Sequence, residues 1–432
     1  MDSCGVSNLG SHLLIAGINS TEIFNITDDD AEKTLAFLDD KFSNSDSAYI
    51  FSIAYDFGLK LENIKPRPKE FPGSTEPDVF LAAFDSLIVH DYNTNKTFLT
   101  GNEKRFDEIE NELRRKRQTN FEIDIRETSC VSSNFTREEY IAAVEEIQER
   151  IRRGTTYQTN LTQQLRATLP ENLTAQKIFW HLRKNHPAPF AAFLQREMDS
   201  VISISPERFF KVECQNTNDE RIISTSPIKG TRPRGRTPET DSLLKNELLN
   251  SEKDLAENTM IVDLLRNDIG RICEYGTVKV EKLCDLETHA TLFHLVSTIN
   301  GELRRDVKFS DILRAVFPCG SITGAPKIST MRIIDELETT NRAVSMGAIG
   351  YKSGERRAES GESKNSILHS PLSALHSFDL SVAIRTMTVK NHEAVFNVGG
   401  GIVIDSVPEQ EYEETLVKAK ALLTAVNGKL KL

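Results

Sequence analysis

The chain has 432 residues, with 64 acidic against 53 basic side chains and a formal net charge of −11. That length allows one large or two ordinary domains around a substantial core, and the acidic balance excludes a general nucleic-acid binder, whose footprint is basic. No apolar run approaches the ~20 residues that span a bilayer, and Met1 to Ser20 lacks the basic start and long apolar stretch of a secretory signal. Six cysteines without CxxC or metal-type spacing read as reduced thiols of a cytoplasmic protein.

In chain order, Ala48 to Gly58 and Val79 to Phe84 are predicted as buried strands. Glu103 to Gln118 is predicted as a helix closing on Arg114-Arg115-Lys116-Arg117, a cationic run that suits a helix C-terminus. The boundary between an N-terminal subdomain, 1–120, and a larger unit, 121–432, is placed there. Thr136 and Glu139 form a capping box. It opens a helix with Ile141, Val144, Ile147 and Ile151 on one face, stopping at Gly154. Thr155 to Thr162 alternates as a strand, with Gln158 and Asn160 on its polar side. Val201 to Ser205 is a strand whose Pro206 turn brings Glu207 within adjacent-strand reach of Lys229. His294 lies in an apolar, helix-like stretch, where a lone histidine is more often a core residue than a functional one. Lys352 to Ser377 is polar, separates the strand-like runs Met346–Tyr351 and Leu380–Val389, and is expected to be a mobile insertion.

Several residue types carry chemistry. Lys229 stands between Ile228 and Gly230 at a strand-to-turn transition. Partial burial would lower its pKa and free the amine as a nucleophile, although spacing alone, with Arg232, Arg234 and Arg236 close behind, favours a basic surface loop. A partly buried Glu207 would have a raised pKa suited to acid–base work; a surface pair with Arg208 is the alternative. Asp254 and Glu257, and again Glu411 and Glu414 after Pro408, are three residues apart and share a helix face. Two such faces could supply an all-oxygen Mg²⁺ site, while solvated helix starts also favour acids. Gly399-Gly400-Gly401 after a strand reads as an anion nest or a tight turn. Arg385 can fork onto a carboxylate, and Lys418 shares a helix face with Glu411 and Glu414.

These segments fall in a fixed order: Tyr157-Gln158-Thr159-Asn160-Leu161, Ser205-Pro206-Glu207-Arg208-Phe209, Ser226 to Gly235, Ala256 to Asp268, His294 to Ser297, Gly320 to Lys327, Ala383 to Thr386, Gly399 to Val403 and Glu411 to Thr415. Together they resemble the chorismate-utilising enzymes, strongly over about residues 135–432 and weakly over the first hundred. The resemblance implies an α+β fold of two large, mostly antiparallel sheets packed face to face, with helices outside and the site between them. It implies Mg²⁺ on Glu257 and Glu414, with Asp254 and Glu411 in outer positions. Chorismate contact would come from Gln158, Gly230, Thr231, His294, Ser321, Lys327, Arg385, Gly399, Gly400, Gly401 and Lys418. Lys229 would act as covalent nucleophile and Glu207 as general acid and base. Lysine at position 229 resembles the branch that replaces the C4 hydroxyl with ammonia, on the way to 4-aminobenzoate and folate. The anthranilate-forming branch, the nearest rival, typically carries alanine there. Relatives that add water to chorismate carry lysine where Gln158 stands. No segment resembles a glutamine amidotransferase, so ammonia is expected from a separate glutaminase subunit.

Three departures keep open a non-catalytic paralogue that only binds a chorismate-like ligand or a partner. The chain starts near the family's Asp-Ser element (Asp2-Ser3), so either an opening strand is expected to be missing or the given start is late; Ser345 replaces a substrate-facing tyrosine and Cys319 a glycine. Retention of Glu207, Glu257 and Glu414 favours catalysis.

Overall fold

The computed structural model describes residues 1–6, 9–43, 47–70, 76–115, 128–214, 220–288, 292–353 and 378–430. A ten-stranded antiparallel sheet runs Ile228–Pro233, Leu292–Glu302, Arg221–Ser226, Arg208–Cys214, Phe378–Val382, Ala348–Lys352, Ala48–Ile53, Val79–Phe84 and Glu22–Ile26, with Lys279–Thr288 also paired to Leu292–Glu302. An eight-stranded sheet runs Gly428–Leu430, Ser129–Ser133, Gln158–Thr168, Glu393–Ile402, Thr386–Lys390, Ser200–Ser205 and Phe190–Gln195, with Gly324–Ala325 on Gln158–Thr168. Among the described strands only the Gly428–Leu430 pairing is parallel.

The two-residue period of a strand explains the layering. Tyr49, Phe51 and Ile53 pack with Leu35, Leu38 and Phe309 of the helices outside. Their neighbours Ala48 and Ile50 face inward, where Phe80, Phe84 and Tyr351 meet Leu194 and Val201 of the other sheet. Ile202 and Ile204 turn the opposite way, onto the helices Ala175–Asn185 and Pro408–Ala425. Each sheet is therefore apolar on both faces, as a strand sandwiched between a helix layer and a second sheet requires.

Several local readings need correction. The run Leu380–Val389 is not one strand. Phe378–Val382 belongs to the ten-stranded sheet and Thr386–Lys390 to the eight-stranded one, and Arg385, at φ +48°, carries the crossover between them. His294 lies on a strand, because it belongs to a run long enough to pair with three neighbouring strands. The capping box forms as expected, Thr136 Oγ1 accepting from Glu139 N at 3.2 Å and Glu139 Oε2 from Thr136 N at 2.7 Å. The buried stripe of that helix holds Tyr140 rather than Ile141. Tyr140 donates its hydroxyl to Leu161 O at 3.2 Å and packs on Phe135 and Tyr412, so a polar tip and an aromatic ring outcompete an aliphatic neighbour. The cationic run is helical through Arg115; its last two residues and the boundary placed near 120 lie outside the described residues. On the N-terminal side of that boundary, Ala48–Ile53 pairs in register with Ala348–Lys352. Lys352 and Ser353 are buried, Lys352 in that same strand, and the rest of the anticipated insertion, 354–377, lies outside the described residues. No described helix is long and apolar enough to cross a membrane, and the six cysteines are unbridged.

Candidate active site

Lys229 sits on the strand Ile228–Pro233, whose ladder to Leu292–Glu302 is interrupted by a bulge between Lys229 and Thr231. Gly230 occupies that bulge at φ +78°, a conformation costly for a residue with a Cβ. The anticipated adjacent-strand pairing of Glu207 with Lys229 does not occur. The strand after Glu207 pairs with Arg221–Ser226, and Lys229 is opposite Leu295. The two side chains nevertheless sense each other's charge, because Arg221–Ser226 and Ile228–Pro233 run on along the same strand, Leu292–Glu302, and Arg208 is opposite Ser226, three residues before Lys229.

Glu257 comes from the helix Glu252–Gly270 and is fixed there by its neighbour. Asn258 is fully buried, accepts from Ser297 Oγ at 2.6 Å and donates to Leu295 O at 3.4 Å, locking the helix to the strand that also pairs with Lys229. Lys229 Nζ then reaches Glu257 Oε1 at 2.7 Å, and Gln158 Nε2 reaches the same oxygen at 2.6 Å. Asn258, Ser297 and Arg342 are the residues sequence reasoning missed. Arg342 is buried, donates to the carbonyls of Asn160 and Ile322 at 2.8 and 2.9 Å, and pairs with Glu338, so it joins the Gln158 strand to the Ser321 turn. Its four-residue spacing from Glu338 was the available signal.

The triple glycine lies inside the strand Glu393–Ile402 rather than after it. Residues 399–402 pair with Gln158–Thr168 on one side, whereas the Thr386–Lys390 ladder ends at Phe396. The absence of side chains matters more than a turn would. A Cβ on Gly401 would lie 2.1 Å from Gln158 Nε2 and 2.9 Å from Glu257 Oε1, and one on Gly400 would lie 3.3 Å from Glu411 Oε2. We expect Gly401→Ala to leave the fold intact, because the obstructed atoms are side-chain ends. It should nonetheless displace Gln158 and Glu257 and lower kcat/KM by about 10²-fold, the scale of ångström-level misplacement. Steady-state kinetics beside a thermal unfolding scan check this.

Electrostatics distinguish the carboxyls. Glu207 is 4% exposed, and Oε1 has no hydrogen-bond partner among the described residues. Burial pushes it up to about 7, only partly opposed by the Ser321 hydroxyl, Lys229 and the Ile228 amide. Burial would likewise raise Glu257, but Lys229, Gln158 and Lys418 hold it below the usual carboxylate range. Glu414 is held down by Lys418, 2.7 Å away, and Lys253, against burial and the like charge of Glu257. Lys229 departs from expectation. Burial acts to lower it, yet Glu257, Glu207 and Cys319 leave it net above the ordinary lysine range. It is an ammonium clamped to Glu257.

The remaining anticipated residues divide. Thr231 Oγ1 meets His294 Nδ1 at 3.3 Å, and Lys418 Nζ donates to Gly399 O at 3.0 Å beside Glu414. Arg385 is partly buried, with no hydrogen bond or ion pair from its guanidinium among the described residues, and burial lowers its pKa. Asp254 pairs with Arg232 at 3.1 Å; Glu411 accepts from Ser406 at 2.6 Å and lies 3.6 Å from Lys253. Lys327 is not delivered to the cluster by its ammonium, which is spent on Asp268 at 2.6 Å and Val316 O at 2.9 Å. No three His, Cys, Asp or Glu side chains among the described residues are drawn together as a metal site. The donors still suit a hard cation: Glu257 and Glu414 are carboxylates close enough to feel each other's charge, and Mg²⁺ is commonly held by one or two carboxylates plus substrate and water.

Fold and cluster together define an α+β protein with a lysine–carboxylate site at the margin of two packed sheets. The chain belongs to the chorismate binding enzymes, whose family model matches residues 12–361 and 371–424. It is 38% identical over 375 residues to aminodeoxychorismate synthase component 1 of Escherichia coli (strain K12), covering 85% of this chain and 74% of the relative. It is 36% identical over 368 residues to anthranilate synthase component 1 of Aquifex aeolicus (strain VF5), covering 81% and 68%. The crystal structure of anthranilate synthase component I from Streptococcus pneumoniae TIGR4 superposes with a TM-score of 0.78 at 29% identity, covering 96% of this chain and 93% of that one. The α+β fold of packed antiparallel sheets is the one the resemblance implied.

Proposed function

We propose that the chain aminates chorismate at C4, giving 4-amino-4-deoxychorismate, the activity named in the E. coli relative. The supporting observation is a lysine, Lys229, partly buried and within charge-sensing reach of a carboxyl, Glu207, that is poised to exchange a proton near pH 7. Lys229 Nζ attacks ring C2, both ring double bonds move one position along toward C4, and the C4–O bond breaks as Glu207 gives its proton to the departing hydroxyl. Ammonia then bonds to C4, the C2–Nζ bond breaks, and the Glu207 carboxylate takes a proton from the incoming nitrogen. Each displacement is easier than the single one it replaces. Lys229 must first lose a proton, and its partner is Glu257, so engagement of Glu257 elsewhere is what releases the amine. Glu257 and Glu414 would hold Mg²⁺, which when bound neutralises and orients a substrate carboxylate. Arg385, without an ion-pair partner among the described residues, and Lys418 suit the substrate's negative charge. On this reading the protein is cytoplasmic and receives ammonia from a glutamine amidotransferase subunit.

Mass spectrometry of products from chorismate, ammonium and Mg²⁺ tests the reading. 4-Amino-4-deoxychorismate is expected. Anthranilate with pyruvate would transfer the chain to the other relative's activity, and chorismate binding without turnover would make it a non-catalytic paralogue. Glutamine alone should not replace ammonium in the isolated chain. Chelation should abolish turnover, and Glu257→Gln or Glu414→Gln should raise the Mg²⁺ needed by more than the ~10-fold that outer-shell changes bring. Full activity after exhaustive chelation would overturn the metal assignment.

A further inference from the structure

Between the two sheets lies a cavity of about 20 Å³, room for one water. Its walls are mostly polar: Ser345, Thr386, Thr388, Gln164, Asn397 and Glu76 line it. Gln164 Nε2 donates to Asn341 O at 3.2 Å and Asn397 Oδ1 at 3.4 Å, and Thr388 Oγ1 donates to Glu76 at 2.8 Å. The loop that carries Ser345 is forced into place. Ala343 and Met346 stand at φ +53° and +63°, costly for side chains with a Cβ and a mark of functional loops. Asp56 Oδ2 accepts from Ala343 N at 2.8 Å, Tyr55 N donates to Ala343 O at 2.7 Å, and Met346 N donates to Ala383 O at 2.9 Å.

Strand geometry sets this cavity beside the triple glycine. Opposed residues of an antiparallel ladder either bond to each other or both turn their N–H and C=O groups away. Asn160 N and Thr162 N donate away from Glu393–Ile402, to Thr323 O and Glu338 Oε1 at 2.8 Å each. Their opposite numbers, Gly401 and Gly399, therefore turn away too, and Gly399 O is indeed taken by Lys418. Asn397 points the same way and donates to Ser345 Oγ at 3.4 Å. Asn397, Gly399 and Gly401 thus form one row of N–H donors along the edge that Thr386–Lys390 leaves open. Ser345 caps the first of them. Its own proton has no acceptor among the described residues. Two residues of strand span about 6.6 Å, so a carboxylate on Gly399 lies too far for Ser345 Oγ to touch, but near enough for one bridging water.

We infer that this cavity is a hydrated subsite: Ser345, with Gln164 and Asn397, holds one water that carries the donor row on to a substrate carboxylate. Ser345 is then a positioning residue acting through that water, and its small size leaves the room for it. The link to substrate rests on the chorismate reading above; the water itself does not.

A crystal structure of the ligand-free protein, at a resolution that shows its other buried waters, should show one within hydrogen-bond distance of Ser345 Oγ. A cavity without it overturns the subsite. Ser345→Val removes the hydroxyl and fills the space. It should expel the water and raise KM for chorismate about 10-fold, the scale of a hydrogen bond to a charged group. The loss should fall on KM rather than kcat, as for binding shared by ground and transition states. Ser345→Ala leaves the room, so its KM should rise clearly less; equal rises in both would reduce Ser345 to a cap for Asn397 and end the proposal. Should the valine variant fail to fold, Ser345→Cys, larger and a weaker donor, carries the same comparison. Wild type inactive on chorismate would defeat the chorismate reading, and the ligand-free water would still decide the subsite. An active wild type whose KM is unmoved by Ser345→Val would overturn the subsite and leave that reading intact.

Discussion

Lys229→Ala should lower the rate of 4-amino-4-deoxychorismate formation by on the order of 10³-fold or more, as loss of a covalent nucleophile does. The wild-type enzyme, given chorismate and Mg²⁺ without ammonia, should accumulate a ring adduct on the peptide containing Lys229, visible by mass spectrometry after digestion. With the amine gone, nitrogen entering at C2 would turn residual product toward the anthranilate type. Lys229→Arg should not rescue, because a guanidinium stays protonated and cannot attack. Lys229→Gln keeps a donor for Glu257, whose Oε1 otherwise retains, among the described residues, Gln158 alone. Equal loss in the glutamine and alanine variants therefore separates chemistry from the cost of an unpaired buried carboxylate. Wild-type rate and product from Lys229→Ala would reduce the lysine to a positioner of substrate charge.

Glu207→Gln should lose about 10²- to 10⁴-fold in turnover, the range of general acid–base catalysis, and should gain stability at high pH. The sign follows from the direction of the shift. The folded carboxyl titrates at about 7 against 4.5 for its ordinary value, so the folded state binds the proton more tightly. Its stability contribution is complete below about 4.5 and falls as pH rises to about 7, a span corresponding to roughly 3 kcal/mol. Glutamine never ionises, so at pH 8 the variant should unfold a few degrees above wild type, and the two should converge near pH 4.5. Calorimetry at both pH values decides it; wild type unfolding at the higher temperature at pH 8 would mean that Glu207 is stabilised as an anion. A variant more stable yet inactive is what a carboxyl held for function against its solvation preference predicts.

Local rules were enough for much of this protein. Thr136 and Glu139 announce their helix because both halves of a capping box lie within four residues. Val79 to Phe84 announces a strand buried on both sides because its apolar run is unbroken. The pairs Asp254/Glu257 and Glu411/Glu414 share helix faces because three-residue spacing makes them do so. The ordered motifs identified the family, since each concerns a residue type at a fixed place in the chain. Other properties arise between distant segments. His294 is a strand residue because of its three partner strands, Leu380 to Val389 divides between two sheets at Arg385, and Tyr140 displaces Ile141 from the core to reach Leu161. Lys229 shows the limit most clearly. Its sequence neighbours suggest burial and hence a lowered pKa, yet the carboxylate that reverses the sign is 28 positions away, on a helix held in place by Asn258 and Ser297. Burial acts on a group through its own surroundings, but a charge acts through distance in space, and only the packed sheets and helices set that distance.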